Sequence, residues 1–241
     1  MDMGYQQTNA DHTVFFRQHK EHTTLLVVYV DDIIITGNDE EEIAQLKVKL
    51  SKEFDVKDLG LPRYFIGIEV ARGIEGVVLS QRKYVLDLLT ETGMLGCRPV
   101  ASPIDQKIKL TKLAGEKVDR ERYQRLVGQL IYLTHTRLNI SFAVSVVSRY
   151  MHDPRKDHMD AVYHILRYLK GALGKGLIFR KHGHFNIEGY CDSDWASCAD
   201  DRKSTSGYCM FVGGNLVSWK SKKQSVVARS TTEAEYRELL L

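Results

Sequence analysis

One run, LLVVYVDDIIITG from Leu25 to Gly37, restricts the fold of this chain more than any other stretch. Apolar, largely β-branched residues flank two adjacent aspartates, Asp31 and Asp32. Apolar runs broken by a short polar step read as two buried strands joined by a tight turn. The expected hairpin spans Leu25 to Thr36, with both carboxylates at its tip. An unpaired carboxylate is costly to bury, so the pair must face solvent, a cation or a metal. Hard divalent ions take carboxylate oxygens and keep water and phosphate as further ligands. A carboxylate pair on a rigid hairpin can therefore form half of a two-metal phosphoryl-transfer site. A plainer alternative stands beside this one: Asp is common in turns because its side chain bonds nearby backbone.

Further strings follow in order. Asp58-Leu59-Gly60 precedes Tyr64-Phe65-Ile66-Gly67-Ile68-Glu69-Val70. Then come LSQRKYVLDLLTETGM from Leu79, YQRLVGQLIYLTHTR from Tyr123 and HMDAVYHILRYLKG from His158. GYCDSDWA, DRKSTSGY and VSWKSKKQSVVARSTTEAEY occupy the last third. With Tyr29-Val30-Asp31-Asp32, this series resembles copia-type LTR retrotransposon Pol polyproteins over essentially the whole chain.

The resemblance implies an α+β fold in three parts. Residues 1–75 would be a partial reverse transcriptase palm with the YVDD hairpin and primer-grip-like strands. Residues 76–183 would be thumb and connection helices, and residues 184–241 the N-terminal part of a truncated RNase H-like sheet. The implied parent reaction is Mg²⁺-dependent DNA synthesis from dNTPs on an RNA or DNA template-primer. By resemblance Asp31 is the main metal ligand and Asp32 supports it. Tyr29 lies near the primer terminus or nucleotide, and Phe65, Ile66 and Gly67 position the primer strand. In the RNase H part, Asp192 on a strand and Glu233 on a helix would converge on Mg²⁺ beside a hybrid duplex.

The residues themselves add alternatives. Positions two apart share a strand face, so Asp194 can replace Asp192. Two positions along a helix differ by about 200°, so Glu235 points away from whatever Glu233 faces. An acid in a first helical turn also stabilises the helix dipole without any catalysis. Lys220, Lys222 and Lys223 in WKSKKQS suit contact with a phosphate backbone, since hybrids are read largely by shape and phosphates. They also suit a hairpin kept soluble by lysines. Trp195 and Trp219 read as core residues.

A net charge of +3 says little, but its distribution says more: 161–187 holds five Lys or Arg and 202–232 holds six, with no acid in either. Such stretches can attract phosphates. The four cysteines lack CxxC spacing and suit a reducing compartment. The first twenty residues lack the apolar core of a secretory leader, and no apolar run reaches membrane-spanning length. The expected settings are the cytoplasm, a virus-like particle or the nucleus, with no membrane and no stable protein partner.

The pattern predicts an amphipathic helix from Asn38 to Phe54 with Ile43, Leu46, Leu50 and Phe54 on one side. It also predicts strands over 63–79 turning at Gly73 and Gly76, and a helix with Tyr84, Val85, Leu88 and Leu89 on one stripe. An irregular linker is expected over Pro99 to Gly115, then two or three helices to Gly171, strands from His184, and a capped helix at Ser230.

Departures from the family pattern bear on activity. A further palm aspartate is expected upstream, yet Asp2 and Asp11 are the only aspartates before Asp31. The later RNase H acids do not appear. Leu138 and Asn139 stand where the family usually has Pro and Asp, and Ser197 where a glycine usually follows the alanine. The resulting expectation is a fragment inactive by itself. The alternatives are a non-catalytic nucleic-acid-binding protein or an inert retroelement remnant.

Overall fold

The computed structural model describes residues 3–105, 110–112 and 115–239. Part of the expected linker, 106–109 and 113–114, lies outside the described residues. The fold mixes helices with antiparallel sheets, an α+β architecture, and it parts into two compact units between Pro62 and Arg63.

The first unit is a meander of β1 (Gln6–Gln7), β2 (Val14–His19), β3 (His22–Tyr29) and β4 (Asp32–Gly37), followed by α1 (Glu40–Glu53). Strand alternation decides which residues meet the helix. Register aligns Phe15, Leu26 and Ile35 in one cross-strand row, and this row packs with Val28 against Leu46 and Leu50 of α1. The two runs around the aspartates are apolar on both faces, yet only the face turned to α1 buries a side chain fully within this unit. Leu25, Val27 and Ile34 on the other face stay half-buried. Asp39 caps α1 by accepting the Glu42 N–H at 3.0 Å. Phe54, expected on the buried stripe, is instead the exposed C-cap, where extended backbone turns it off the helix. At Gly37, φ is +154° and a Cβ would lie 2.1 Å from the Thr23 carbonyl oxygen, so only glycine fits.

The second unit opens with β5 (Tyr64–Phe65), β6 (Ile68–Gly73), β7 (Gly76–Ser80) and α2 (Arg82–Glu91). α3 (Arg120–Leu133), α4 (Ser141–Ser148) and α5 (Lys156–Lys170) follow, the middle one entered through a short 3₁₀ turn. Leu88, Leu89, Leu126, Leu130, Val147 and Leu166 belong to their common core. Among the buried polar residues of this unit, His158 is stacked on Tyr150 at 3.8 Å and bonded to the Arg155 N–H and the Thr111 carbonyl.

Two features differ from the sequence reading. The four-residue strand β8 (Gly176–Phe179) falls within the region read as helical and completes the sheet β5-β6-β7-β8. A strand this short carries too little alternation to be seen before its partner β7 is known. The expected boundary at 75 crosses the β6–β7 turn, where Gly73 pairs with Gly76, so that hairpin keeps 63–75 with the second unit.

β9 (Ile187–Ser193), β10 (Thr205–Val212) and β11 (Asn215–Lys223) form a second sheet in the order β11-β10-β9, and α6 (Thr231–Glu238) lies against β9 and β10. This sheet is not a detached end. The Trp219 indole donates to the Thr134 carbonyl at 3.0 Å, and the Asn215 side chain brackets the Arg180 backbone at 2.7 and 2.9 Å.

Candidate functional site

The hairpin tip is a two-residue turn. Tyr29 pairs with Asp32, leaving Val30 and Asp31 between the strands. Right-twisted strands joined this tightly require positive φ in the turn, and Val30 takes it, at φ +49°. A β-branched side chain rarely adopts that value, at a cost of about 1–3 kcal/mol. The return is geometric: Val30 is 82% exposed, and Asp31 and Asp32 stand out together at the tip. Among the described residues, no hydrogen bond or ion pair is made by either carboxylate.

Phe65, Ile66 and Gly67 form a second two-residue turn, closed by the Phe65–Ile68 pair. Both central residues have positive φ, +46° at Ile66 and +77° at Gly67. The Tyr132 hydroxyl donates to the Ile66 carbonyl, and Tyr132 packs edge-on to Tyr84 at 5.3 Å. A helix therefore pins the turn. Sequence reading missed Tyr132 because nothing local links residues 66 apart in the chain.

The second acidic set is arranged differently. Asp192 is exposed on β9. Asp194, just past that strand, accepts the Thr205 N–H at 2.5 Å. Glu233 accepts the Arg229 N–H at 2.8 Å and pairs with Arg237 at 2.7 Å. The Arg229 N–H and the Arg237 guanidinium hold its carboxyl below the usual range. The Ser230 hydroxyl caps the same helix by accepting the Glu233 N–H. Glu238, not singled out from the sequence, is the helix acid turned toward Asp192. It is 4% exposed, and burial, with the Asp192 charge adding, raises its pKa, partly offset by the Asp192 and Gly207 N–H groups. Its position four after buried Ala234 was the available signal.

The lysines of β11 divide by strand alternation. Lys220 and Lys222 are exposed on one face. Lys223 falls on the other, where its ammonium pairs with Asp201 at 2.9 Å. Burial opposes ionisation of Asp201, but the Cys198 thiol and Lys223 outweigh it and hold its pKa at about 2. Lys223 is thus engaged within the fold, unlike its two neighbours.

No three His, Cys, Asp or Glu side chains gather into a metal-sized group among the described residues. Asp11 uses its carboxylate locally, accepting the Thr13 N–H and hydroxyl at 2.9 and 2.8 Å. No helix of the described residues is long and apolar enough to cross a membrane.

Residues 1–106 match the family described as reverse transcriptase (RNA-dependent DNA polymerase). An uncharacterized mitochondrial protein of Arabidopsis thaliana is 42% identical over 90% of this chain and 90% of its own length. The retrovirus-related Pol polyprotein from transposon RE2 of Arabidopsis thaliana is 43% identical over 98% of this chain. The corresponding polyprotein from transposon TNT 1-94 of Nicotiana tabacum is 40% identical over 96%. The chain spans only 16% and 18% of those two polyproteins. No solved structure matches. The chain belongs to the copia-type retrotransposon Pol family, and its first part is reverse transcriptase sequence.

That family generally uses a divalent metal and binds a nucleic-acid template. The paired tip carboxylates have the right donor chemistry for one hard cation that keeps water and phosphate as its other ligands.

Proposed function

We propose that this chain is the part of a copia-type RNA-directed DNA polymerase running from the palm hairpin into the RNase H region, and that by itself it binds nucleic acid without extending a primer. Asp31 and Asp32 would hold one Mg²⁺, which supplies neutralising charge to phosphate oxygens when bound. Tyr29 would border the primer terminus or dNTP, and the Phe65-Ile66-Gly67 turn would support the primer strand. Asp192 remains the proposed RNase H strand acid with Glu233 as its helix partner, although Glu233 would first have to release Arg237. Lys220 and Lys222 are the lysines available to template-primer or hybrid phosphates.

The observation that carries this reading is the paired, solvent-facing carboxylates on a strained two-residue turn, with Asp11 committed to its own loop. By resemblance to the family, a two-metal site also takes an aspartate from an earlier palm strand, which joins the hairpin pair in clamping the attacking and leaving oxygens. Residues 1–241 should therefore show no primer extension with Mg²⁺ or Mn²⁺. Robust extension abolished by Asp31→Asn would overturn the inactivity. Binding should be salt-sensitive: with about four phosphates engaged, a rise from about 50 to 200 mM salt should weaken it on the order of 100-fold. Absence of any such binding would favour an inert retroelement remnant.

A further inference from the structure

Two turns of this chain hold a β-branched residue at positive φ, and they are supported unequally. Val30 sits between strands joined by six register pairs. Ile66, at φ +46°, and Gly67, at +77°, follow β5, a strand of two residues with two register pairs to β6. Turns of this handedness favour Asn-Gly or Asp-Gly, so Gly67 suits its place and Ile66 does not. A residue in so sparsely populated a conformation persists only where its surroundings over-determine it. Burial of its own side chain does not hold it there, since Ile66 is 41% exposed.

The support comes from two helices. The Tyr132 hydroxyl, in the last turn of α3, donates to the Ile66 carbonyl. A Cβ on Gly67 would lie 3.5 Å from the Tyr132 ring and 3.7 Å from the Tyr84 ring, so both aromatics pack on the turn. The end of α3 is itself anchored, because the Trp219 indole donates to the Thr134 carbonyl at 3.0 Å. Ile66 belongs to neither hydrophobic core, yet it is kept in strain by a hydroxyl 66 positions away. Strain held at the surface in this way is a mark of ligand clamps.

We propose that Tyr132 is a positioning residue for the primer strand: its hydroxyl fixes the Ile66–Gly67 turn in the backbone conformation that receives the strand. This rests on the primer-supporting role given to that turn above and adds the side chain that controls it. Tyr132 acts through the turn and does not itself touch the strand.

Tyr132→Phe removes one oxygen and leaves the ring against Tyr84. The full chain would be titrated in Mg²⁺, by anisotropy, with two labelled DNAs: a template–primer with a recessed 3′ end, and a blunt duplex of the same primer length. The unchanged protein should bind the template–primer more tightly. One hydrogen bond to a backbone carbonyl corresponds to roughly a two- to tenfold change in an equilibrium. Tyr132→Phe should weaken template–primer binding by that factor, leave blunt-duplex binding unchanged, and speed amide exchange at residues 66–68 by a similar factor. Ile165→Val trims a fully buried core side chain at a comparable cost in stability, and should change neither affinity. Circular dichroism would confirm that each variant folds. Trp219→Phe, which removes the anchor of the same end of α3, replaces Tyr132→Phe if that variant does not fold, with the same pattern expected.

Faster exchange with both affinities unchanged would overturn the positioning role, as would unaltered exchange at 66–68. An equal loss for the two DNAs, or a matching loss in Ile165→Val, would reduce Tyr132 to a structural residue and overturn it too. Equal binding of the two DNAs by the unchanged protein has the same consequence. In all these cases the nucleic-acid reading stands. No binding of either DNA at any salt would remove both readings.

Discussion

The acids of the YVDD hairpin and the acids around β9 and α6 look alike as sequence and are used in opposite ways. Asp31 and Asp32 project from a turn, and the described fold makes no use of their oxygens. Asp194, Glu233 and Asp201 are bound into the fold by the Thr205 N–H, Arg237 and Lys223. The hairpin holds its pair by adjacency in the chain, so six register pairs between β3 and β4 suffice to present both. The other set comes from separate elements, and each acid meets whatever packing brings near it. An acidic motif on one turn can stay available for a ligand, whereas acids spread over a helix and a sheet are readily taken up as structure.

The largest expected effect breaks this contrast directly. Asp194→Ala removes a charged acceptor from the N–H of Thr205, itself 5% exposed, and should destabilise the protein by about 1–3 kcal/mol. Equilibrium denaturation of the full chain measures this. A change under about 0.5 kcal/mol would mean that Asp194 is as dispensable to the fold as the hairpin acids.

A smaller effect comes from Arg137. This side chain is 2% exposed, donates to the Ala172 carbonyl and, at 3.3 Å, to the Asn139 amide oxygen, and leaves Nη2 without a partner. Burial pushes its pKa down. A buried guanidinium facing an amide lacks the countercharge that normally offsets desolvation. Asn139 is exposed, so a carboxylate there would pair without losing its own hydration. Asn139→Asp should stabilise the chain by about 1 kcal/mol through a charge-assisted bond. A lower melting temperature for this variant would show that losing the bond from the Asn139 amide to the Tyr168 hydroxyl outweighs the new pairing with Arg137.

The smallest effect is expected at the tip. Asp31→Asn and Asp32→Asn should each shift stability by less than about 0.5 kcal/mol, since neither side chain supports the fold. A loss of 1 kcal/mol or more in the same denaturation experiment would move these aspartates into the structural class, and with them the reading of the tip as an open metal site.

What the sequence determined by itself is local. Two apolar, largely β-branched runs around a short acidic break made the hairpin at Asp31 and Asp32, and Asp39 and Ser230 set the starts of α1 and α6, because turns and caps join residues only a few positions apart. The apolar stripe of α2 was legible for the same reason, while Phe54 was misread since a helix can stop one residue before the pattern does. What the tertiary structure decided lies between distant segments: the β7–β8 pairing, the Tyr132 bond that pins Ile66, the burial of Glu238 rather than Glu233 next to Asp192, and the division of Lys223 from Lys220 and Lys222. Strand register and helix docking select those partners. A one-residue change in register reverses which face a side chain occupies, so the residue types could suggest these contacts but only the assembled sheet and helices could choose among them.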